Sequence, residues 1–365
     1  MFINKTYKFK LKPNKKQEAI FNQWLDNCRL VYNLCLEQKQ TAYKEYGVQV
    51  TKYESYNQLP ALKNEFNWLK NTHSDTLQQT LDRVYNAFDK FYSGGGFPKF
   101  QRKDRFNSFG YKRFVGVVGN RIKLPKIGLV KFLKSQEIKG EIRTATIKKE
   151  LKGWFITICV RIPKPQVVNR GEPTGVDLGV SKFVVTSDGE IVENHKHLEG
   201  FEKDIRRLNR KISRQKKGST SRQKTIHTLR IVYNKLKNKR EDFLHKTSTN
   251  LVSSNKGLVV EDLKVSKMLG KDSQLSKNIS DASFTSFIHK LEYKSALQGK
   301  PFYKVNPAYT SQTCSSCGYV SKKNRKTQSE FKCISCGFEC NADLNAAKNI
   351  QVSGRNFSTK VKPLG

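Results

Sequence analysis

Residues 174–180 read TGVDLGV, and residues 182–186 read KFVVT. The first run sets one acid, Asp177, between Val176 and Leu178. After the second, Ser187, Asp188 and Gly189 turn the chain back into a third run that opens at Glu190. A carboxylate within an apolar strand is costly unless a cation or a partner satisfies it. An apolar strand with one such acid, leading into a hairpin, is how an RNase H-like fold begins. The bland alternative is a turn aspartate beside Gly179.

Two further acids extend the pattern. The run GLVVEDL at 257–263 reads as a second apolar strand ending in acids. Alternation puts Glu261 on the face of Val259 and Asp262 on the other, and leaves open which of the two matters. Asp343 opens a helix-like stretch, DLNAAKNI at 343–350. Between them, Phe284, Phe287, Ile288 and Leu291 follow helical core spacing, and FYKVN at 302–306 reads as another strand. Three carboxylates from two strands and a helix can hold two hard divalent cations. Mg²⁺ accepts few protein carboxylates, keeps waters and takes phosphate oxygens as its remaining ligands. A pair of such ions suits phosphodiester hydrolysis. No Ser-His-Asp or Cys-His arrangement is evident among the six histidines, so acyl chemistry has little support.

Just ahead of Asp343 stand two matched pairs, Cys314/Cys317 and Cys333/Cys336, with fifteen residues between them. This spacing is that of a four-thiolate zinc ribbon. Gly318 and Gly337 follow the second cysteine of each pair, where a tight turn benefits from free backbone angles. A redox or disulfide pair is the alternative, but such a motif normally stands alone near a βαβ pattern. Cys28, Cys35 and Cys159 lie in apolar surroundings and read as small core residues. Cys340 is a spare thiol beside the ribbon.

The chain has 365 residues, enough for two or three domains. Lys and Arg number 69 against 31 acids, a formal net charge of +38. Such self-repulsion is best tolerated where a polyanion neutralises it. Met1 to Lys5 turns polar at once, unlike a signal peptide, and no apolar run approaches the ~20 residues of a membrane span. A membrane-surface reading would need a basic amphipathic helix or a lipidation site, and neither stands out. Free-looking thiols with a zinc site point to a reducing, cytoplasmic setting. Residues 203–240 carry fifteen Lys or Arg and one acid, Asp204. Leu208 and Ile212 fit one helix there, and Ile226, Leu229, Tyr233 and Leu236 another, with 217–219 between. Ordinary solvated faces mix signs; this one favours phosphate.

In the N-terminal half, YKFKL at 7–11 alternates like a strand with one wet face, and Pro13 ends it. From Lys15 to about Tyr46 the stripe Phe21, Trp24, Leu25, Cys28, Val31, Tyr32, Cys35 predicts a helix. A second helix is expected over 75–92, with Leu77, Leu81, Val84, Phe88 and Phe91 on one stripe and Ser74 or Asp75 as its cap. Gly94, Gly95 and Gly96 form a break and lack the Lys-Ser/Thr of a phosphate loop. Strands follow at 122–124, 128–132, 142–148 and 154–162, the last two joined as a hairpin by Lys152-Gly153. Aromatic and basic residues interleave over 97–106, a pattern suited either to stacked bases and gripped phosphates or to a solvated loop. The polar stretch 163–172 reads as a linker.

These pieces together resemble the TnpB (OrfB) family, transposon-encoded nucleases related to type V CRISPR effectors. The matching pieces are YKFKL at 7–11 with CRLVYN at 28–33, GVDLG at 175–179 and VVEDL at 259–263. Further matches are NPAYTSQTCSSCG at 306–318, FKCISCGFE at 331–339 and ADLNAAKNI at 342–350. The resemblance implies a multidomain α/β protein. A wedge-type β-barrel is expected over 1–13 and 97–165, with a helical recognition domain, 14–96, inserted in it. A RuvC (RNase H-like) nuclease domain is expected over 171–305 and 341–352, with a zinc ribbon at 306–340 and a flexible tail at 353–365. By motif match the catalytic, magnesium-binding triad falls on Asp177, Glu261 and Asp343; Glu261 is preferred to Asp262 on the resemblance alone. Many relatives carry an acid two residues before the third carboxylate, where this chain has Asn341. The implied activity is RNA-guided DNA endonuclease, with two Mg²⁺ ions and a structural Zn²⁺ at Cys314, Cys317, Cys333 and Cys336. The implied partners are a guide RNA from the transposon end and double-stranded target DNA beside a short flanking motif. Two alternatives stand beside it: a DNA-binding regulator whose acids are structural, and a transposase- or resolvase-type nuclease without a guide.

Overall fold

A computed structural model describes residues 1–113, 115–167, 171–265 and 273–358. The chain divides into two units, Met1–Pro163 and Lys164–Gly365. The division falls within the stretch read as a linker, of which 168–170 lie outside the described residues.

The first unit is a seven-stranded antiparallel sheet with helices inserted after its first strand. The strands are β1 (Phe2–Lys12), β2 (Ser108–Tyr111), β3 (Gly116–Val118), β4 (Arg121–Leu124), β5 (Gly128–Leu133), β6 (Glu141–Glu150) and β7 (Gly153–Pro163). Their order is β2-β6-β7-β1-β5-β4-β3. β2 and β3 are therefore edges, and no ladder among the described residues joins them, so the expected barrel is not closed by hydrogen bonds. The β6–β7 hairpin turns at Gly153 as expected. β2 and β3 have no counterpart among the strands expected from the sequence.

The inserted helices are α1 (Lys15–Tyr46), α2 (Lys52–Asn57), α3 (Leu59–Glu65) and α4 (Ser74–Tyr92). The α1 stripe is buried throughout. Asn14 caps α1 by accepting from the Gln17 N–H at 2.8 Å, while the Gln17 side chain answers the Asn14 N–H. Phe21 and Trp24 meet Phe109 and Trp154 of the sheet edge-on. α4 departs from expectation at its start. Its N-cap is His73, and neither Ser74 nor Asp75 caps it. Asp75 is instead buried and accepts the backbone N–H groups of Lys112 and Arg113 at 2.6 and 3.1 Å. At the other end Phe91 leaves the stripe and is exposed. The 97–106 loop is pinned to α1, since Asn33 and the Gln101 backbone exchange two hydrogen bonds. Phe106 is buried, while Phe97 and Phe100 stay exposed.

The second unit holds a five-stranded sheet of order β10-β9-β8-β11-β12. Its strands are β8 (Thr174–Leu178), β9 (Lys182–Thr186), β10 (Ile191–Glu193), β11 (Leu258–Glu261) and β12 (Phe302–Val305). β8, β11 and β12 run parallel; β9 and β10 complete the hairpin predicted from TGVDLGV. Helices α5 (Glu199–Arg214) and α6 (Thr220–Ser254) follow β10, then α7 (Ser273–Ala282), α8 (Phe284–Leu297) and α9 (Ala342–Ser358). The two sheet faces have different covers. Val176, Phe183, Leu258 and Val260 share a core with Leu244, Leu251, Phe284, Phe287 and Leu291. On the opposite face Val259 and Val305 pack with Ile350 of α9.

Two expectations need correction here. α9 continues through 353–358, part of the stretch read as a flexible tail; residues 359–365 lie outside the described residues. Tyr233, read as part of an apolar stripe, is exposed, and Thr225 and Leu236 are the residues α6 buries there. Among the described residues no helix is long and apolar enough to cross a membrane.

Candidate active site and zinc knuckles

Strand register brings the first two acids together. Val260 pairs with Val176 in the parallel β8–β11 ladder, so Glu261 stands level with Asp177 on the neighbouring strand. Alternation gives Asp177 the face of Gly175, and Glu261 the face of Val259. That is the α9 face. α9 crosses β8 so closely that a Cβ on Gly175 would fall 2.1 Å from the Ala347 carbonyl oxygen, a backbone atom that cannot step aside. Asp343 lies one helical turn before Ala347, at the start of α9. Asn341 precedes the helix, and its side-chain oxygen accepts the Asp343 and Leu344 N–H groups at 3.1 and 3.4 Å. The residue that stands where many relatives carry an acid is thus a helix cap in this chain.

Asp177, Glu261 and Asp343 all line one pocket of about 260 Å³. Asp262 does not line it and is exposed. Of the two acids that alternation left open, Glu261 is therefore the one at this pocket. The pocket also holds Lys182, Thr310, Ser311, Arg325 and Gln328. The Thr310 hydroxyl donates to Glu261 Oε1 at 2.6 Å. Arg325, from between the two cysteine pairs, sets its Nη2 3.7 Å from Asp343 Oδ1. Sequence reading missed both residues. Thr310 lay inside a matched motif without a role, and nothing in the spacing distinguished Arg325 from the surrounding lysines.

Charge in this pocket is in excess. Burial, then the neighbouring Glu261 and Asp343 carboxylates, push the Asp177 carboxyl up to about 7; Arg325 and the Leu178 N–H oppose the shift. Burial also raises Glu261, against the Thr310 hydrogen bond. A divalent cation would relieve this repulsion, and carboxylate oxygens are the donors Mg²⁺ takes. Asp177, Glu261 and Asp343 are the residues that would hold it. Three acids do not close into one tight cage. Among the described residues the only cluster of three or more ligand atoms mutually within 4.8 Å is that of the four cysteines.

A pH dependence follows. Asp177 must lose its proton to bind a cation, so Mg²⁺ affinity should rise about tenfold per pH unit below 7 and level off above about 8. Without metal the stability sign is reversed. The folded carboxyl titrates above its ordinary value of 3.8, so its contribution to stability is full below that value and is lost as pH rises to about 7. Isothermal titration with Mg²⁺ at pH 6, 7 and 8 checks the first statement, and flat affinity across that range refutes it.

Beside the acids sit the cysteines. Cys314 Sγ lies 3.8 Å from Cys336 Sγ, and Cys317 Sγ 3.6 Å from Cys333 Sγ. Four sulfurs at ~2.3 Å from a tetrahedral zinc would be ~3.8 Å apart, so the thiols fit the ion. Gly318 and Gly337 take φ of 77° and 75°, the left-handed turn anticipated for them. Their N–H groups bond back to the Cys314 and Cys333 carbonyls. Asn324 is fully buried between the knuckles; it donates to the Gln312 and Tyr319 carbonyls and accepts from the Ile334 N–H. Short strands β13 (Glu330–Lys332) and β14 (Glu339–Asn341) flank the second knuckle as an antiparallel pair, and β14 runs into α9. Cys340 is no member of the thiol cluster and packs as a half-buried apolar group.

One ladder of asparagines joins the thiol cluster to the acid pocket. Asn345 donates to the Thr313 carbonyl at 2.7 Å and accepts the Ser315 N–H at 2.9 Å. Asn349, one turn on, donates to the Thr310 and Thr313 carbonyls at 2.9 and 2.7 Å. The segment they hold carries Thr310 at one end and Cys314 at the other. The basic stretch, finally, forms α5 and the first part of α6. Lys203, Arg206, Arg207, Arg210, Lys211 and Arg214 line an open groove of about 900 Å³ along α5.

Comparison with known proteins now adds to this geometry. Residues 157–272 match the OrfB-type family described as "Probable transposase", and 284–350 match "Cas12f1-like, TNB domain". Residues 1–47 match a family described as "Helix-turn-helix domain", although here they form one strand and a single 32-residue helix. A curated protein of Escherichia coli (strain K12), "Putative RNA-guided DNA endonuclease InsQ", is 32% identical, covering 95% of this chain and 92% of its own. A "Putative RNA-guided DNA endonuclease" of Streptomyces pristinaespiralis is 30% identical over 96% of this chain and 90% of its own. Among solved structures, that of CasPhi-2 (Cas12j) bound to crRNA matches with a TM-score of 0.50, 11% identity, 96% of this chain and 98% of that one, a likeness of fold. With that identity sustained across nearly the whole length, and with the acid pocket and knuckles where the motifs put them, the chain belongs to the TnpB (OrfB) family.

Proposed function

We propose that the chain is a transposon-associated RNA-guided DNA endonuclease that cuts its target strand in the pocket of Asp177, Glu261 and Asp343. The observation that carries this reading is the convergence of those three carboxylates from β8, β11 and α9 on one pocket. It occurs in a chain that matches, over more than nine-tenths of its length, proteins named as RNA-guided DNA endonucleases. Asp177, Glu261 and Asp343 would hold Mg²⁺, whose chemistry when bound would be to activate a water and neutralise charge on the leaving oxygen. The chain's own part is positional: register fixes Asp177 against Glu261, Thr310 orients Glu261, and α9 delivers Asp343. Arg325 is a cation at the pocket that can meet a phosphate oxygen. The thiol knuckles, holding Zn²⁺, fix the segment that bears Thr310 and Arg325. The first unit takes the place of the wedge and recognition domains, and the arginine-lined groove of α5 takes phosphates. Base pairing with the guide supplies target choice beside a short flanking motif.

Sequencing the RNA that copurifies with the protein tests this. The expected result is one defined RNA whose removal abolishes cutting of a matched duplex and whose return restores it. Cutting that persists without RNA would favour an unguided resolvase; guided binding without cutting in Mg²⁺ would favour a regulator.

A further inference from the structure

A second pocket in the same unit, of about 670 Å³, combines rings and lysines. Its lining includes His195, Lys196, His197, Phe201, Lys239 and Phe243, besides the Asp242–Lys246 ion pair at 2.8 Å. The His195 and His197 imidazoles lie parallel, 5.6 Å apart at 17°. Both meet Phe243 edge-on, at 4.7 and 5.3 Å. Phe243 is itself wedged against Phe183 of the core, so the platform beneath the imidazoles is fixed. His195 is exposed. Lys239 reaches over the Phe201 ring at 5.4 Å.

Three details set this apart from an ordinary surface hollow. His197 Nε2 is buried and has no hydrogen-bond partner among the described residues. Buried polar atoms are rarely left so without a ligand or water to meet them. Lys196 holds a φ of 41°, a left-handed backbone that a non-glycine residue adopts at a cost. That conformation is secured by Asn194, whose side-chain oxygen accepts the Lys196 N–H at 3.1 Å. The Asn194 amide also donates to the Val180 carbonyl at 2.6 Å, and Val180 lines the acid pocket. One side chain therefore ties both pockets to the loop after Asp177.

We infer that the pocket of His195, His197, Lys239 and Phe243 seats one nucleotide of the single DNA strand being cut, its base stacked on His195 and its phosphate on Lys239. A planar ring on a rigid support with an adjacent cation is what sequence-independent single-strand binding uses. The inference rests on the nuclease reading of the acid pocket, to which Asn194 links this one through the Val180 carbonyl, but its test needs no cleavage.

The test is fluorescence anisotropy of the full-length protein with its copurified RNA, without added divalent ion, against labelled 12-nucleotide oligothymidylate and oligouridylate. Both probed side chains are exposed, so the variants keep the fold; unchanged thermal midpoints check this. His195→Ala should weaken oligothymidylate binding about tenfold, within the range of one lost stack. His195→Phe, which keeps a ring, should stay within about twofold of the parent. Lys239→Ala should lower the slope of log affinity against log salt by about one. Unchanged affinity in His195→Ala, or equal losses in His195→Ala and His195→Phe, overturns the stacking role. A loss confined to oligouridylate overturns the assignment to the DNA strand.

Discussion

Asp177→Asn should lower guided cleavage at least about 10³-fold, beyond the 10²–10³ that loss of one transition-state donor typically costs, while guided binding persists. The reason is position. Asp177 stands level with Glu261 on the neighbouring strand and lines the same pocket as Asp343, so on the proposed reading it is placed to share cations with each. The amide keeps the shape but removes the charge. A second effect runs the other way. Without metal, the parent holds three carboxylates in one largely buried pocket, and the substitution removes that repulsion. The metal-free variant should therefore melt higher than the metal-free parent at pH 8, where the Asp177 carboxyl is ionised. It should also lose most of the stabilisation that added Mg²⁺ gives the parent. Cleavage rates and melting curves with and without Mg²⁺ check both. Cutting within tenfold of the parent would remove Asp177 from the chemistry.

Cys333→Ala should cost the knuckles their metal and then their fold. The buried apolar cluster there is small: Cys314, Phe331, Cys333 and Ala342, with Phe338 and Cys340 at its edge. So little buried surface cannot order the segment alone. Zinc binding in comparable small sites contributes about 10–16 kcal/mol at neutral pH. Elemental analysis should find about one zinc per parent chain and almost none in the variant. Hydrogen exchange should rise sharply over 306–340 and little in the first unit. Cleavage should fall although every acid is intact, because the segment held by Asn345 and Asn349 positions Thr310 against Glu261. A variant that still binds one zinc, or cuts at the parental rate, defeats this account.

The acids and cysteines were legible in the sequence for a physical reason. A carboxylate in an apolar strand and paired thiols at knuckle spacing are local anomalies that only a ligand explains. Register was not legible: which of Glu261 and Asp262 faces α9 depends on where β11 pairs with β8. Thr310 and Arg325 were hidden because their roles are made by contacts across the fold. Asp75 misled because an acid at a helix start is ordinarily a cap, whereas here it receives the chain after β2. The barrel expectation came from resemblance, and the ladder order leaves the first sheet with two edges.

The order of the acids along the chain has a consequence for synthesis. Asp177 and Glu261 emerge from the ribosome well before α9, which carries the third carboxylate and covers Gly175 and Val259. A nascent polypeptide short of residue 342 has two of the three acids that line the pocket, and Val259 and Val305 lack the cover that Ile350 gives them. On the proposed reading, cleavage waits for α9, because only that helix completes the trio and roofs the sheet.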